Sequence, residues 1–221
     1  MAVRQIKNDI YSIGSLHWDR RLFDELIPLP DGTSYNAYLI KGKEKTALID
    51  TVDPSMSTAL FTGLDQLGLD HIDYVVANHA EQDHSGCIPD ILDAYPMAKV
   101  VTSDKGKALI TDLLAVPEAR ILTVKDGEAI ELGEKTLQCR YFPWVHWPET
   151  MMTYDMTDRV LFSGDMFGGF GAVDTELFDG EADTATREQE TLRYFSNVIG
   201  RYSSMVQKAL VKIRSVDPAV V

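Results

Sequence analysis

Cysteine is nearly missing from this chain of 221 residues: Cys87 and Cys139 stand far apart, outside any Cys-x-x-Cys pair. Their scarcity excludes a disulfide scaffold and a thiolate-built zinc site. Both thiols are expected to be buried and reduced; contact of Cys87 with a metal, so soon after His84, is the lesser alternative. No stretch approaches the roughly 20 apolar residues that a membrane helix needs. The opening segment MAVRQIKNDIYSIG has neither a long apolar core nor a small-residue cleavage site. Basic charge is short as well. The 21 Lys and Arg face 34 Asp and Glu, a formal balance of −13, which argues against nucleic acid as a partner. Pro/Ser-rich linkers, low-complexity segments and a fixed-period repeat are also missing. The expectation is a soluble cytoplasmic protein folded as one domain over residues 1–221, its 45% hydrophobic residues forming the core.

What is present is an ordered series of strand and helix signals. Runs rich in β-branched and aromatic residues predict strands at 10–13, 35–40, 46–50, 73–78, 99–102, 120–124, 129–132, 135–142, 151–155 and 159–163. Asp53-Pro54-Ser55 predicts a helix start running to about Leu67, and Ser103 or Asp104 caps another to about Leu114. A short helix is expected over Cys87–Ala94. One long helix is expected from about Ala185 to Ile213, with Leu192, Phe195, Val198, Ile199, Met205, Val206 and Leu210 at apolar spacing. The pattern suits two mixed sheets packed together with helices outside.

The densest chemistry is His79-Ala-Glu81-Gln-Asp83-His84, directly after the strand-like run ending at Asn78. Imidazoles and carboxylates crowded at a strand end point to metal. With period-two alternation, 79, 81 and 83 converge on one side of an extended loop, and His84 approaches from the next element. That suits two adjacent ions better than one. His146, after the strand 135–142, and Asp165, after Val160-Leu161-Phe162-Ser163-Gly164, occupy comparable strand-end loops. Three imidazoles and three carboxylates without a thiolate suit iron, manganese or zinc. A zinc hydrolase with an activated water stays open on composition alone. His17 and His71 lack neighbouring ligands and are expected in structural or surface roles. Gly168-Gly169-Phe170-Gly171 lacks the strand-to-helix setting of a phosphate loop and reads as a loop beside the site. Phe167 and Phe170 are candidates to shield it, and Tyr35, Trp144 and Trp147 to wall a pocket.

His-x-Glu-x-Asp-His followed by His146 and Asp165 resembles the diiron domain of flavodiiron proteins. So do the segments DRRLFDELIPLPDGTSYNAYLI, TALIDTVDP, HWPETMMTY and RVLFSGDMFG. Metallo-β-lactamase-type hydrolases typically carry His where Glu81 stands. The resemblance implies a four-layer αββα metallo-β-lactamase-like sandwich (an α/β, more strictly α+β, fold). It also implies a non-haem centre of two Fe ions that reduces O2 to water or NO to N2O. By position, His79, Glu81 and His146 would hold one iron and Asp83 and His84 the other, with Asp165 bridging.

The family's seventh ligand is a histidine in a Ser-His-Gly-type segment after the long helix. Here no histidine follows His146 and the sequence stops at Asp217-Pro218-Ala219-Val220-Val221, so truncation is expected. The flavodoxin-like domain is also missing, so FMN would come only from a separate domain or partner. The implied partners are an electron-donor flavoprotein or rubredoxin and a second copy in a head-to-tail homodimer. An oxygen-binding sensor module is the alternative to a catalyst.

Overall fold

The computed structural model describes residues 3–172, 177–181 and 184–221. A seven-stranded sheet runs in the order Arg4–Lys7, Ile10–Ser12, Tyr38–Lys41, Thr46–Ile49, Tyr74–Val76, Lys99–Thr102 and Ile121–Thr123. Its first four strands pair antiparallel and its last four parallel. A second sheet of four antiparallel strands comprises Ala129–Glu131, Thr136–Tyr141, Met151–Asp155 and Val160–Phe162.

Alternation along the strands builds the layers. Leu48, Val75 and Val100 face outward onto helix residues Leu60, Leu64, Ile88, Ile91 and Ile110. Their neighbours Ile49, Val76 and Val101 face inward onto Leu137, Cys139, Met151 and Phe162 of the second sheet. The outer face of that sheet, through Met152, Tyr154 and Leu161, packs on Ala209 and Ile213 of the last helix. The result is the expected αββα order. Buried on both faces, the central strands read as near-continuous apolar runs. No helix among the described residues is long and apolar enough to cross a membrane.

Local sequence explains several boundaries. The Asp53 carboxylate accepts from Ser55 N at 2.9 Å and opens the 3-10 turn Pro54–Met56 ahead of the helix Ser57–Gln66. Ser103 Oγ accepts from Gly106 N at 3.0 Å and caps the helix Asp104–Leu114.

Three expectations change. The strand expected over 35–40 divides into Thr33–Tyr35, which pairs with Ser15–His17, and Tyr38–Lys41 in the main sheet. A Cβ at Gly14 would come within 2.1 Å of Tyr35 O, so the chain crosses there at a distance only glycine permits. Second, residues 82–85 are helical, so Asp83 lies on a turn of helix rather than in an extended loop. Third, the long helix is broken: Thr184–Tyr194 passes through a π turn, Phe195–Ile199, and a 3-10 turn, Gly200–Tyr202, before Ser203–Arg214. The break shifts the helical phase, so Tyr194, Val198 and Ile199 enter one apolar cluster while Ala209 and Ile213 enter another. Leu192 is consequently exposed, not core. Near the end of the chain, Val220 forms a parallel bridge with Val160.

Asn78 joins the two sheets at one edge. Its N–H and side-chain amide donate to Asp50 at 2.8 and 3.1 Å, while its carbonyl and side-chain oxygens accept from Met151 N and Thr153 Oγ1 at 2.9 and 2.8 Å. Thr153→Val removes one donor at constant shape and leaves a buried acceptor unmet. Urea unfolding should show a loss of about 1–3 kcal/mol.

Candidate metal centre

The candidate ligands and the residues that support them follow strand ends at that edge, with Asp83 and His84 on the short helix Gln82–Ser85. Asp50 follows Thr46–Ile49, His79 follows Tyr74–Val76 and Ser103 follows Lys99–Thr102, all parallel strands of one sheet. His146 and Asp165 follow Thr136–Tyr141 and Val160–Phe162 of the other. Carboxyl ends of parallel strands are where open α/β sheets place their ligand crevices.

The structure brings His79, Glu81, His146 and Asp165 together, with one donor atom from each lying within 4.8 Å of all the others. His79 Nε2 is 3.1 Å from Glu81 Oε2 and 3.6 Å from Asp165 Oδ2. His146 Nε2 is 3.1 Å from Glu81 Oε2 and 3.2 Å from Asp165 Oδ2, yet aligned for a hydrogen bond to neither. Asp83 and His84 stand outside that quartet. They meet it through Asp165, whose Oδ1 lies 2.9 Å from His84 Nε2, with Asp83 Oδ2 at 3.8 Å from the same nitrogen. One oxygen of Asp165 thus faces His79 and His146, and the other faces His84.

The donor set fits a pair of ions. Asp83 Oδ1, His84 Nδ1 and His146 Nε2 are buried polar atoms without a hydrogen-bond partner, and a cation would satisfy the oxygen and the His146 nitrogen. The electrostatics agree. Burial pushes the His79 imidazole down, but hydrogen bonds to Glu149 and Glu81 outweigh it and hold the ring at about 9. Burial likewise opposes protonation of His146, and Asp165 and Glu81 lift it to about 9. Glu81 is held at about 2 against burial by His146 and His79, and Asp165 well below the carboxylate range by the histidines around it. Asp83 goes the other way: burial pushes it up to about 6, with Asp165 and Glu81 adding to the shift against His84. Carboxylates crowded this closely need positive charge nearby, from protonated imidazoles or from metal.

Sequence reasoning missed three contributors. Glu149 is buried, and its Oε1 lies 2.7 Å from His79 Nδ1. Its segment HWPETMMTY stood out, but nothing local says which glutamate meets a histidine 70 positions away. Asp50 has φ +54°, which directs it toward Asn78 and puts Oδ2 3.9 Å from His84 Nδ1. Tyr194 lies against the site's acidic side. Burial, then Asp165 and Asp83, push its phenol well above the usual range, and a Cβ at Gly168 would come within 2.7 Å of its ring.

The expected aromatic walls divide. Trp147 meets His79 edge-on at 4.9 Å, and Tyr35 and Trp147 line a cavity of about 410 Å³ that opens on Glu81 and Asp83. Trp144 instead stacks on Tyr202 and is exposed, as is Phe167. Phe170 packs in the core against Tyr194. Cys87 and Cys139 are buried and free, His17 bonds Tyr35, and exposed His71 pairs with Asp73.

The model of the ODP family beta lactamase matches residues 33–221. The chain belongs to this family. It is 37% identical over 213 residues to the anaerobic nitric oxide reductase flavorubredoxin of Vibrio vulnificus, covering 95% of this chain and 43% of that protein. The crystal structure of the flavodiiron protein from Giardia intestinalis superposes with a TM-score of 0.93 at 28% identity, over 100% of this chain and 54% of the other. Rubredoxin oxygen:oxidoreductase from Desulfovibrio gigas superposes with a TM-score of 0.91 at 29% identity, over 99% and 54%. This ODP-family chain therefore spans about half the length of the relatives it matches, and the expected resemblance to flavodiiron proteins holds.

The raised imidazoles set a pH dependence. In the metal-free protein their protonation stabilises the fold fully below their ordinary 6.5, and that contribution is lost as pH rises through about 9. Calorimetry with a chelator should show the melting temperature falling between about pH 6.5 and 9. Bound zinc, which needs the neutral rings, should abolish the fall.

Proposed function

We propose that this chain is a non-haem diiron oxidoreductase domain that reduces O2 to water, NO to N2O, or both, with electrons from an external flavin or rubredoxin donor. The observation that carries the reading is the placement of Asp165, one oxygen toward His79 and His146 and the other toward His84, as a carboxylate linking two ions would stand. His79, Glu81 and His146 would hold one iron, Asp83 and His84 the other, and Asp165 would bridge. When bound, the iron pair supplies the electron transfer to O2 or NO.

The chain's own residues prepare that chemistry. Glu81, Asp83 and Asp165 offset the charge of two cations. Trp147 covers one edge of His79 and keeps water from that side. The cavity in front of Glu81 and Asp83 gives a small neutral molecule a way in. Tyr35 stands in its wall and keeps its proton, because burial and then Asp53 push its phenol well up. Its hydroxyl lies 3.1 Å from His17 Nδ1, a contact that can hold a proton at the cavity wall.

Relatives named for nitric oxide reduction and for rubredoxin-linked oxygen reduction support both substrates and that class of donor. FMN would be supplied by another domain or partner, and a head-to-tail homodimer that brings the donor to the cavity belongs to the same proposal. Glu81, where hydrolases of the fold typically carry His, weighs against zinc hydrolysis.

Oxygen-electrode assays, and NO-electrode assays without oxygen, on reduced, iron-loaded protein with a flavin donor test this. The expected result is rapid consumption of at least one gas. Asp165→Ala should bind less iron and lose at least about 100-fold in rate, in keeping with a charge-stabilising group of the site. A fully iron-loaded sample that consumes neither gas overturns the reading, and a long-lived O2 adduct without turnover points to a sensor.

A further inference from the structure

The two halves of the ligand cluster are unequally prepared. On one side, Glu149 is only 3% exposed and its Oε1 accepts from both His79 Nδ1, at 2.7 Å, and Ala80 N, at 3.0 Å. Its own backbone carbonyl accepts from Ser103 Oγ at 3.0 Å, which ties it to the cap of the helix Asp104–Leu114. The carboxylate therefore cannot swing away. It holds a proton on Nδ1, so Nε2, bonded to Glu81 in the metal-free protein, is the nitrogen that would release its proton to a metal, and the Glu149 charge raises the basicity of that nitrogen. The four donors His79, Glu81, His146 and Asp165 already stand within 4.8 Å of one another.

On the other side Asp165 holds the His84 ring at Nε2, 2.9 Å away, but no carboxylate accepts from its Nδ1. His84 Nδ1 is 3.9 Å from Asp50 Oδ2 and makes no hydrogen bond, and Asp83 Oδ1 is likewise buried without a partner.

We propose that Glu149 is a positioning residue that makes the His79–Glu81–His146–Asp165 position the first and tighter of two metal positions, with the Asp83–His84 position filled second. This ordering rests on the reading of the site as a two-ion centre. The first ion meets donors already oriented. The second meets a histidine whose Nδ1 no hydrogen bond fixes, in a charge environment set by Asp165, Asp83 and Asp50 together.

Cobalt(II), added stepwise to the metal-free protein without oxygen, provides the test without any turnover. The first equivalent should give the electron paramagnetic resonance signal of an isolated high-spin ion, and the second should convert it to a coupled pair. Glu149→Gln keeps the size of the side chain but removes its charge. It should weaken the first binding step about 10–100-fold while leaving the second unchanged, and Glu149→Asp should recover part of that loss. The wild-type titration separates stepwise from paired filling even where Glu149→Gln fails to fold, and Glu149→Asp then places the first step by a weakened first affinity. A coupled signal growing from the first addition, or a Glu149→Gln protein with unaltered first-step affinity, overturns the proposal. A wild-type protein that takes up only one cobalt, or none, overturns the two-ion reading itself.

Discussion

Asn78 uses all of its polar groups to hold one strand of the large sheet against Asp50 on one side and against Met151 and Thr153 of the small sheet on the other. The candidate ligands nearest it depend on that clasp. His79 follows Asn78 directly, and the loop carrying His146 and Glu149 ends where Met151 begins its strand. Apolar packing between sheets is non-directional and would tolerate sliding, whereas buried hydrogen bonds have fixed partners and a cost when unmade. The clasp therefore converts the loose fit of two greasy faces into a fixed spacing between two groups of ligands.

The cluster built on that spacing is electrostatically expensive without cations. Burying a carboxylate is unfavourable unless it is paired, and here three stand together with three imidazoles. The protonation pattern shows the strain: two imidazoles are pushed up to about 9 and Asp83 up to about 6. Metal would replace several of those protons with charge that does not depend on pH. The same acidic crowding gives the diiron reading its chemical sense, because carboxylate donors compensate the charge of two ions and favour the ferric state.

Much of this was legible in the linear sequence. The six candidate ligand positions stand out because imidazoles and carboxylates crowded at strand ends repel or desolvate one another unless a cation holds them together. The apolar strand runs carry the layered fold because period-two alternation assigns each side chain to a face. The long last helix misled because Leu192 and Phe195 match helical spacing, and periodicity has no means of registering a π turn that shifts the phase at Phe195–Ile199. The 35–40 run misled because both its ends favour β structure, and only the crossing at Gly14 separates them.

What the sequence determined by itself is the inventory: which donors exist, that no thiolate is among them, and that they sit at strand ends. What only the tertiary structure decided is their partition. Asp165 turning one oxygen to each histidine group, Glu149 reaching His79 and Asp50 turning toward Asn78 all join residues far apart along the chain. Their meeting is fixed by how two sheets stack and where the clasp at Asn78 stops them. Local sequence encodes strand and turn, but relative placement comes from packing and buried hydrogen bonds summed over the whole domain.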